Sequence, residues 1–135
     1  MLYLDASALV KRYVAEEESE ALIAAMGAAE GWAICRVGYV ETARAVYRAA
    51  GKRGVERFEA DWPSFEVVEV DASLAEHAAG LAFTEDLRSL DALHLAAALL
   101  IDSGELTVAT WDLRLHRAAQ NQDLRVFPAE LPERR

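Results

Sequence analysis

Cysteine is nearly absent from this chain of 135 residues: there is one, Cys35. That excludes an internal disulfide and fits a reducing, cytoplasmic setting. Set inside WAIC (32–35), Cys35 reads as a small core residue. Three scattered histidines, His77, His94 and His116, give no zinc spacing. A glycine-rich phosphate loop is missing, as is the G-x-S-x-G nucleophile elbow. No basic leader precedes an apolar run at the N-terminus, so no signal peptide is expected. The longest apolar stretch, ALHLAAALLI (92–101), falls well short of the roughly 20 residues a membrane span needs and reads as a buried helix. Positive charge is scarce as well: 14 basic residues stand against 23 acidic ones, for a net charge of −9. That balance argues against gripping nucleic acid by bulk electrostatics and suits a protein that collects divalent cations.

What is present is enough for one well-cored domain. Hydrophobic residues make up 53% of the chain, and its length suits a single domain over 1–135, with the tail PAELPERR from 129 to 135 expected to fray. Strand-like runs fall at 2–4, 32–35, 66–70, 106–110 and 124–127. Helical patterns lie between them at 6–14, 17–28, 37–50, 54–62, 72–85, 90–102 and 113–121, with stops at Gly51 and Pro63. This alternation predicts an α/β fold: a single three-layer domain whose mostly parallel sheet of about five short strands carries helices on both faces.

Ligands of such sheets bind outside the carboxyl ends of the strands, so the residues just past each strand carry the functional question. Asp5 follows LYL and is either a helix N-cap or the first of several acids aimed at a metal. VDASLA repeats the local pattern of LDASAL, and Asp71 is assigned to capping because no second acid accompanies it. Glu41 lies just over a turn into the helix after WAIC. It shares a stripe with Arg44 and Arg48, which makes it either part of a salt-bridged surface or a carboxylate at the mouth of a site. Asp91 opens the most apolar helix, one that must be buried on nearly all sides; a cap would explain an acid there, but a desolvated carboxylate needs a partner. Asp112 stands two residues after Thr110, before the last helix, where a cap alone would also suffice. Jointly, these three aspartates and one glutamate map to one sheet edge. They would repel strongly unless neutralised, and Mg²⁺ or Mn²⁺ is the expected resolution. His94 reads as a satisfied core histidine, and the tryptophans as core. Between 44 and 57, Arg44, Arg48, Lys52, Arg53 and Arg57 are opposed only by Glu56; this is a solvated helix face or a phosphate-binding rim.

Taken together, LDASALVKRY, VETARAVYRA, LDALHLAAAL and TWDLRL, in this order and spacing, resemble the PIN domain, and within it the VapC-type toxins of toxin–antitoxin pairs. The resemblance covers essentially the whole chain. It carries the family's acidic quartet onto Asp5, Glu41, Asp91 and Asp112, and its small hydroxyl residues onto Ser7 and Thr110, which would hydrogen-bond the aspartates; for Ser7, helix capping is the competing role. It implies a Mg²⁺- or Mn²⁺-dependent endoribonuclease, a homodimer, and a VapB-type antitoxin covering the site. Arg44, Arg48, Lys52, Arg53 and Arg114 become candidates for holding RNA phosphates. The rival is the same fold acting as a non-catalytic RNA- or protein-binding module, with its acids serving as caps and partner contacts.

Overall fold

Leu2, Tyr3 and Leu4 are all buried, as a strand covered on both faces requires. In the computed structural model, which describes residues 1–133, this segment is the middle of a sheet. The strands are β1 (Leu2–Leu4), β2 (Trp32–Cys35), β3 (Phe65–Val68), β4 (Thr107–Ala109) and β5 (Arg125–Phe127). They lie in the order β3-β2-β1-β4-β5, and every pairing is parallel. The connecting helices are α1 (Ala6–Tyr13), α2 (Ser19–Ala28), α3 (Arg36–Asp61), α4 (Ala72–Thr84), α5 (Ser89–Ile101) and α6 (Leu113–Asn121).

The two faces of β1 divide the core. Leu2 and Leu4 pack with Leu9, Leu22, Val46 and Phe58 from α1, α2 and α3. Tyr3 points the other way, among Leu74, Leu95, Val108 and Leu115 on the side of α4, α5 and α6. The chain winds outward from β1 through β2 to β3 with helices on one face, then crosses to β4 and β5 with helices on the other. A reversal of direction must swap faces if each crossover keeps the same hand. The result is a three-layer, single-domain α/β fold with a topological switch between β1 and β4, and the crevice at such a switch is where ligands of these sheets bind.

Three details differ from the sequence expectation. β3 ends at Val68, because Glu69 turns out to solvent and accepts a hydrogen bond from Arg36 Nε at 2.8 Å. The helices expected at 37–50 and 54–62 form one element, α3, broken inside at Gly51, whose φ of 67° and ψ of −160° only glycine adopts readily. The apolar helix α5 is not enclosed on nearly all sides: Leu90 and Leu100 are exposed, since α5 lies in an outer layer and the sheet covers only its inner face. Residues 129–133 hold no helix or strand, yet Leu131 is partly buried and Arg117 bonds Glu133 at 2.6 Å; residues 134 and 135 of the expected frayed tail lie outside the described residues.

Two glycines should respond oppositely to alanine. Gly51→Ala meets no steric neighbour but forces alanine into a glycine-only conformation, and should cost about 1–3 kcal/mol. Gly80→Ala, in the open interior of α4, should gain up to about 1 kcal/mol. Urea denaturation of the two variants beside wild type reads both signs.

Candidate functional site

The pairing of β1 with β4 places Leu4 beside Ala109. The next residues, Asp5 and Thr110, therefore meet just beyond the ladder, where the Asp5 amide still donates to the Ala109 carbonyl at 3.4 Å. The Asp5 side chain is only 4% exposed. Its Oδ1 accepts from Ser7 Oγ at 2.7 Å and from the Ala8 amide at 3.0 Å, and its Oδ2 accepts from Thr110 Oγ1 at 2.6 Å. Asp5 is thus the N-cap of α1 and, at once, a buried carboxylate fixed by two hydroxyls. The same hydroxyl oxygens accept backbone amides, Ser7 from Trp111 at 2.9 Å and Thr110 from Asp112 at 3.0 Å, tying the two loops together. Burial pushes the Asp5 pKa up, against the opposing pull of His94 and of the Thr110, Ser7 and Ala8 hydrogen bonds.

Asp112 caps α6, accepting at Oδ1 from the amides of Arg114 (3.0 Å) and Leu115 (3.1 Å). Asp71 caps α4 in the same manner, from the Leu74 amide at 2.8 Å, and lies exposed. Asp91 has no such role. It sits in the first turn of α5, whose N-cap is Arg88 with no side-chain capping bond, and it accepts no hydrogen bond among the described residues. Its pKa rises to about 6, first because it is buried, then because Asp112 and Asp5 lie close; Arg88 and His94 pull the other way. The Arg88 guanidinium, on a side chain 74% exposed, stands 3.9 Å from Asp91 Oδ2 and 3.7 Å from Asp112 Oδ2.

Glu41 does not pair with Arg44 or Arg48. Its Oε1 lies 2.7 Å from His94 Nε2, and the other ring nitrogen, Nδ1, lies 2.7 Å from the Tyr3 hydroxyl, to which the Cys35 amide donates at 3.0 Å. His94 is satisfied and buried, as a core histidine should be, but what satisfies it is one of the candidate acids. Neither Tyr3 nor Arg88 stands out in the sequence, where His94 reads only as a satisfied core histidine. The available signal was the polar His94 on an apolar helix, three residues after Asp91 and so on the same face. Nothing local pointed to Tyr3 or to the reach of Arg88.

Asp5, Asp91 and Asp112 therefore lie near enough to act on one another's charge, and Glu41 is tied to His94; together they form no closed cage. Among the described residues no group of three or more His, Cys, Asp or Glu side chains is arranged to hold a metal ion. The reason is visible in their partners: Asp5 and Asp112 turn oxygens to local amides and hydroxyls, Glu41 to His94, and Arg88 stands between Asp91 and Asp112. Arg44, Arg48, Lys52 and Arg53 are exposed along α3, and no ion pair among the described residues ties them to the acids. Arg114 is exposed at the start of α6 and lines a separate cleft with Glu85, Asp86 and Arg117. Trp111, beside Asp112, is covered by the buried Lys11, whose ammonium lies 4.9 Å from the ring centroid and bonds Glu18 at 2.7 Å.

The raised pKa of Asp91 has a measurable consequence. An acid whose folded pKa exceeds its unfolded value binds more protons folded than unfolded, so its share of stability is full below the unfolded pKa and is lost as pH rises through about 6. Asp91→Asn should therefore raise the thermal midpoint of metal-free protein at neutral pH, and the gain should fade below about pH 4, the ordinary carboxylate range. Thermal scans across pH check it.

Comparison with known proteins identifies the family and the fold. The family model described as "PIN domain" matches residues 2–121. Ribonuclease VapC49 of Mycobacterium tuberculosis (strain ATCC 25618 / H37Rv) is 36% identical over 140 residues, covering 97% of this chain and 97% of that protein. Ribonuclease VapC46 of the same strain is 34% identical over 134 residues, covering 93% and 95%. In fold, the chain is similar to the crystal structure of Mycobacterium tuberculosis VapC20, titled a sarcin–ricin loop cleaving toxin, with a TM-score of 0.77 at 16% identity over 98% of this chain and all of that one. A toxin–antitoxin complex from Klebsiella pneumoniae gives a TM-score of 0.74 at 17% identity, covering 98% of this chain and 100% of that chain. The chain belongs to the PIN domain family and, within it, to the VapC group.

Proposed function

We propose that this protein is a divalent-metal-dependent endoribonuclease, the toxin of a toxin–antitoxin pair, with its site at the switch between β1 and β4. The observation that carries the reading is the state of Asp91: a mostly buried carboxylate with no capping role, raised to about 6 by burial and by the nearness of Asp112 and Asp5. Crowded carboxylates of this kind are relieved by a hard cation, and the donors fit Mg²⁺ or Mn²⁺, since all are carboxylate oxygens while both His94 nitrogens are already committed. The curated relatives named ribonucleases support the choice of RNA.

In this reading Asp5, Asp91 and Asp112, with Glu41, would hold the cation. Such an ion would supply Lewis acidity toward a phosphodiester and the activation of water. Ser7 and Thr110 fix the Asp5 carboxylate so that it does not reorganise during the reaction. Arg88 is the basic side chain that faces Asp91 and Asp112. Arg44, Arg48, Lys52, Arg53 and Arg114 are the exposed residues available to hold flanking phosphates against the chain's negative charge. A VapB-type antitoxin is the inhibiting partner, and the resemblance to VapC-type toxins implies a homodimer. Among the described residues no helix is long and apolar enough to cross a membrane, and the lone buried thiol fits the reducing cytoplasm.

The open arrangement of the acids favours a second reading, a PIN-fold module that binds RNA or protein without cutting it. The two separate cleanly. Purified protein should cleave RNA with Mg²⁺ and stop on EDTA, and Asp5→Asn and Asp91→Asn should each lower cleavage at least 100-fold while circular dichroism stays unchanged (about 3 kcal/mol of transition-state stabilisation). RNA left intact by wild type, or cleavage indifferent to EDTA, defeats the nuclease.

A further inference from the structure

We infer that His94 is a positioning residue for Glu41: a buried hydrogen-bond chain from the Cys35 amide through the Tyr3 hydroxyl and the His94 ring presents one N–H to Glu41 Oε1, leaving Oε2 as the oxygen available to a cation. The inference rests on the reading above, in which Glu41 contributes to a divalent-cation site.

The direction of the chain follows from its first member. A backbone amide can only donate, so at 3.0 Å the Tyr3 oxygen accepts from Cys35. The phenolic hydrogen then has His94 Nδ1, at 2.7 Å, as its acceptor among the described residues. A neutral imidazole that accepts at Nδ1 carries its hydrogen on Nε2, and Nε2 faces Glu41 Oε1 at 2.7 Å. The backbone of β2 thereby sets the tautomer of a ring on α5 and, through it, one oxygen of a carboxylate on α3.

Packing holds the ring in place. His94 is 1% exposed, and Tyr3 meets it edge-on with ring centroids 5.8 Å apart and planes at 75°. Gly38, nearly one turn before Glu41, is where α3 comes close: a Cβ there would lie 2.5 Å from two Ile34 carbons and 3.2 Å from His94 Cε1. The sequence therefore leaves a gap on α3 where the ring needs room. A histidine that served only to satisfy a buried tyrosine would not need its second nitrogen on a partly exposed acid.

The test is Mn²⁺ affinity by calorimetry on metal-free full-length protein, beside circular dichroism. Glu41→Gln should weaken binding. His94→Leu, which removes the donor, should weaken it about tenfold or more, and His94→Gln, whose amide can still donate, should restore most of it. Tyr3→Phe, the gentlest change, should weaken binding as well, and it carries the test if His94→Leu does not fold. In the Glu41→Gln background neither His94→Leu nor Tyr3→Phe should cost anything further. NMR of the imidazole nitrogens, at a pH above the imidazole range, should find Nδ1 bare and Nε2 protonated. If Glu41→Gln binds Mn²⁺ as wild type does, the cation reading of Glu41 fails and the inference with it. If Glu41→Gln weakens binding while Tyr3→Phe and His94→Leu do not, or cost as much in the double variants, positioning is overturned and the cation reading stands. The opposite tautomer also overturns it.

Discussion

The parallel pairing of β1 with β4 is the constraint on which the rest of the molecule depends. It sets Leu4 against Ala109, and the next step along both strands must then bring Asp5 to Thr110. β1 is also where the sheet changes its direction of winding, and ligands of such sheets bind beyond the carboxyl ends of the strands at that switch, here β1 and β4. Asp5 can be buried there because three donors meet its two oxygens; without them a carboxylate at 4% exposure would be costly. The same hydroxyls grip the amides of residues 111 and 112, so the bond network that holds the first acid also places the last.

Much of this was legible in sequence because it depends on local rules. Period-two and period-3.6 patterns, together with punctuation at Gly51 and Pro63, gave the order of strands and helices; the strand-end rule led to Asp5 and Asp112, and the apolar helix that it opens led to Asp91. Asp71 and Asp5 sit in near-identical stretches, and only their surroundings separate them: one is an exposed cap, the other is roofed by Thr110 from outside its own helix start. Local pattern cannot carry that distinction.

What escaped the sequence is what depends on how helices approach one another. The spacing of Glu41, Arg44 and Arg48 suggested a charged stripe, and a stripe is all that helical periodicity can show. Glu41 instead turns to α5, because Gly38 lets α3 come close enough for His94 to reach it. Arg88 was invisible for a similar reason: the turn before a helix can aim a long side chain in many directions, and only the fold puts Asp112 within its reach. The exposure of Leu90 and Leu100 likewise reflects which layer α5 occupies, and composition does not encode that.

The central strand precedes, along the chain, every other strand of the sheet. Its neighbour β4 lies more than a hundred positions downstream, since Asp5 and Thr110 are separated by 105 residues. A nascent chain carries β1, β2 and β3 with their helices well before β4, so Asp5 lacks the Thr110 hydroxyl until β4 has been synthesised. A chain that stops before residue 107 lacks β4, Thr110 and Asp112 altogether. The site proposed above therefore cannot take shape on the ribosome until β4 has been made, however early the first of its acids emerges.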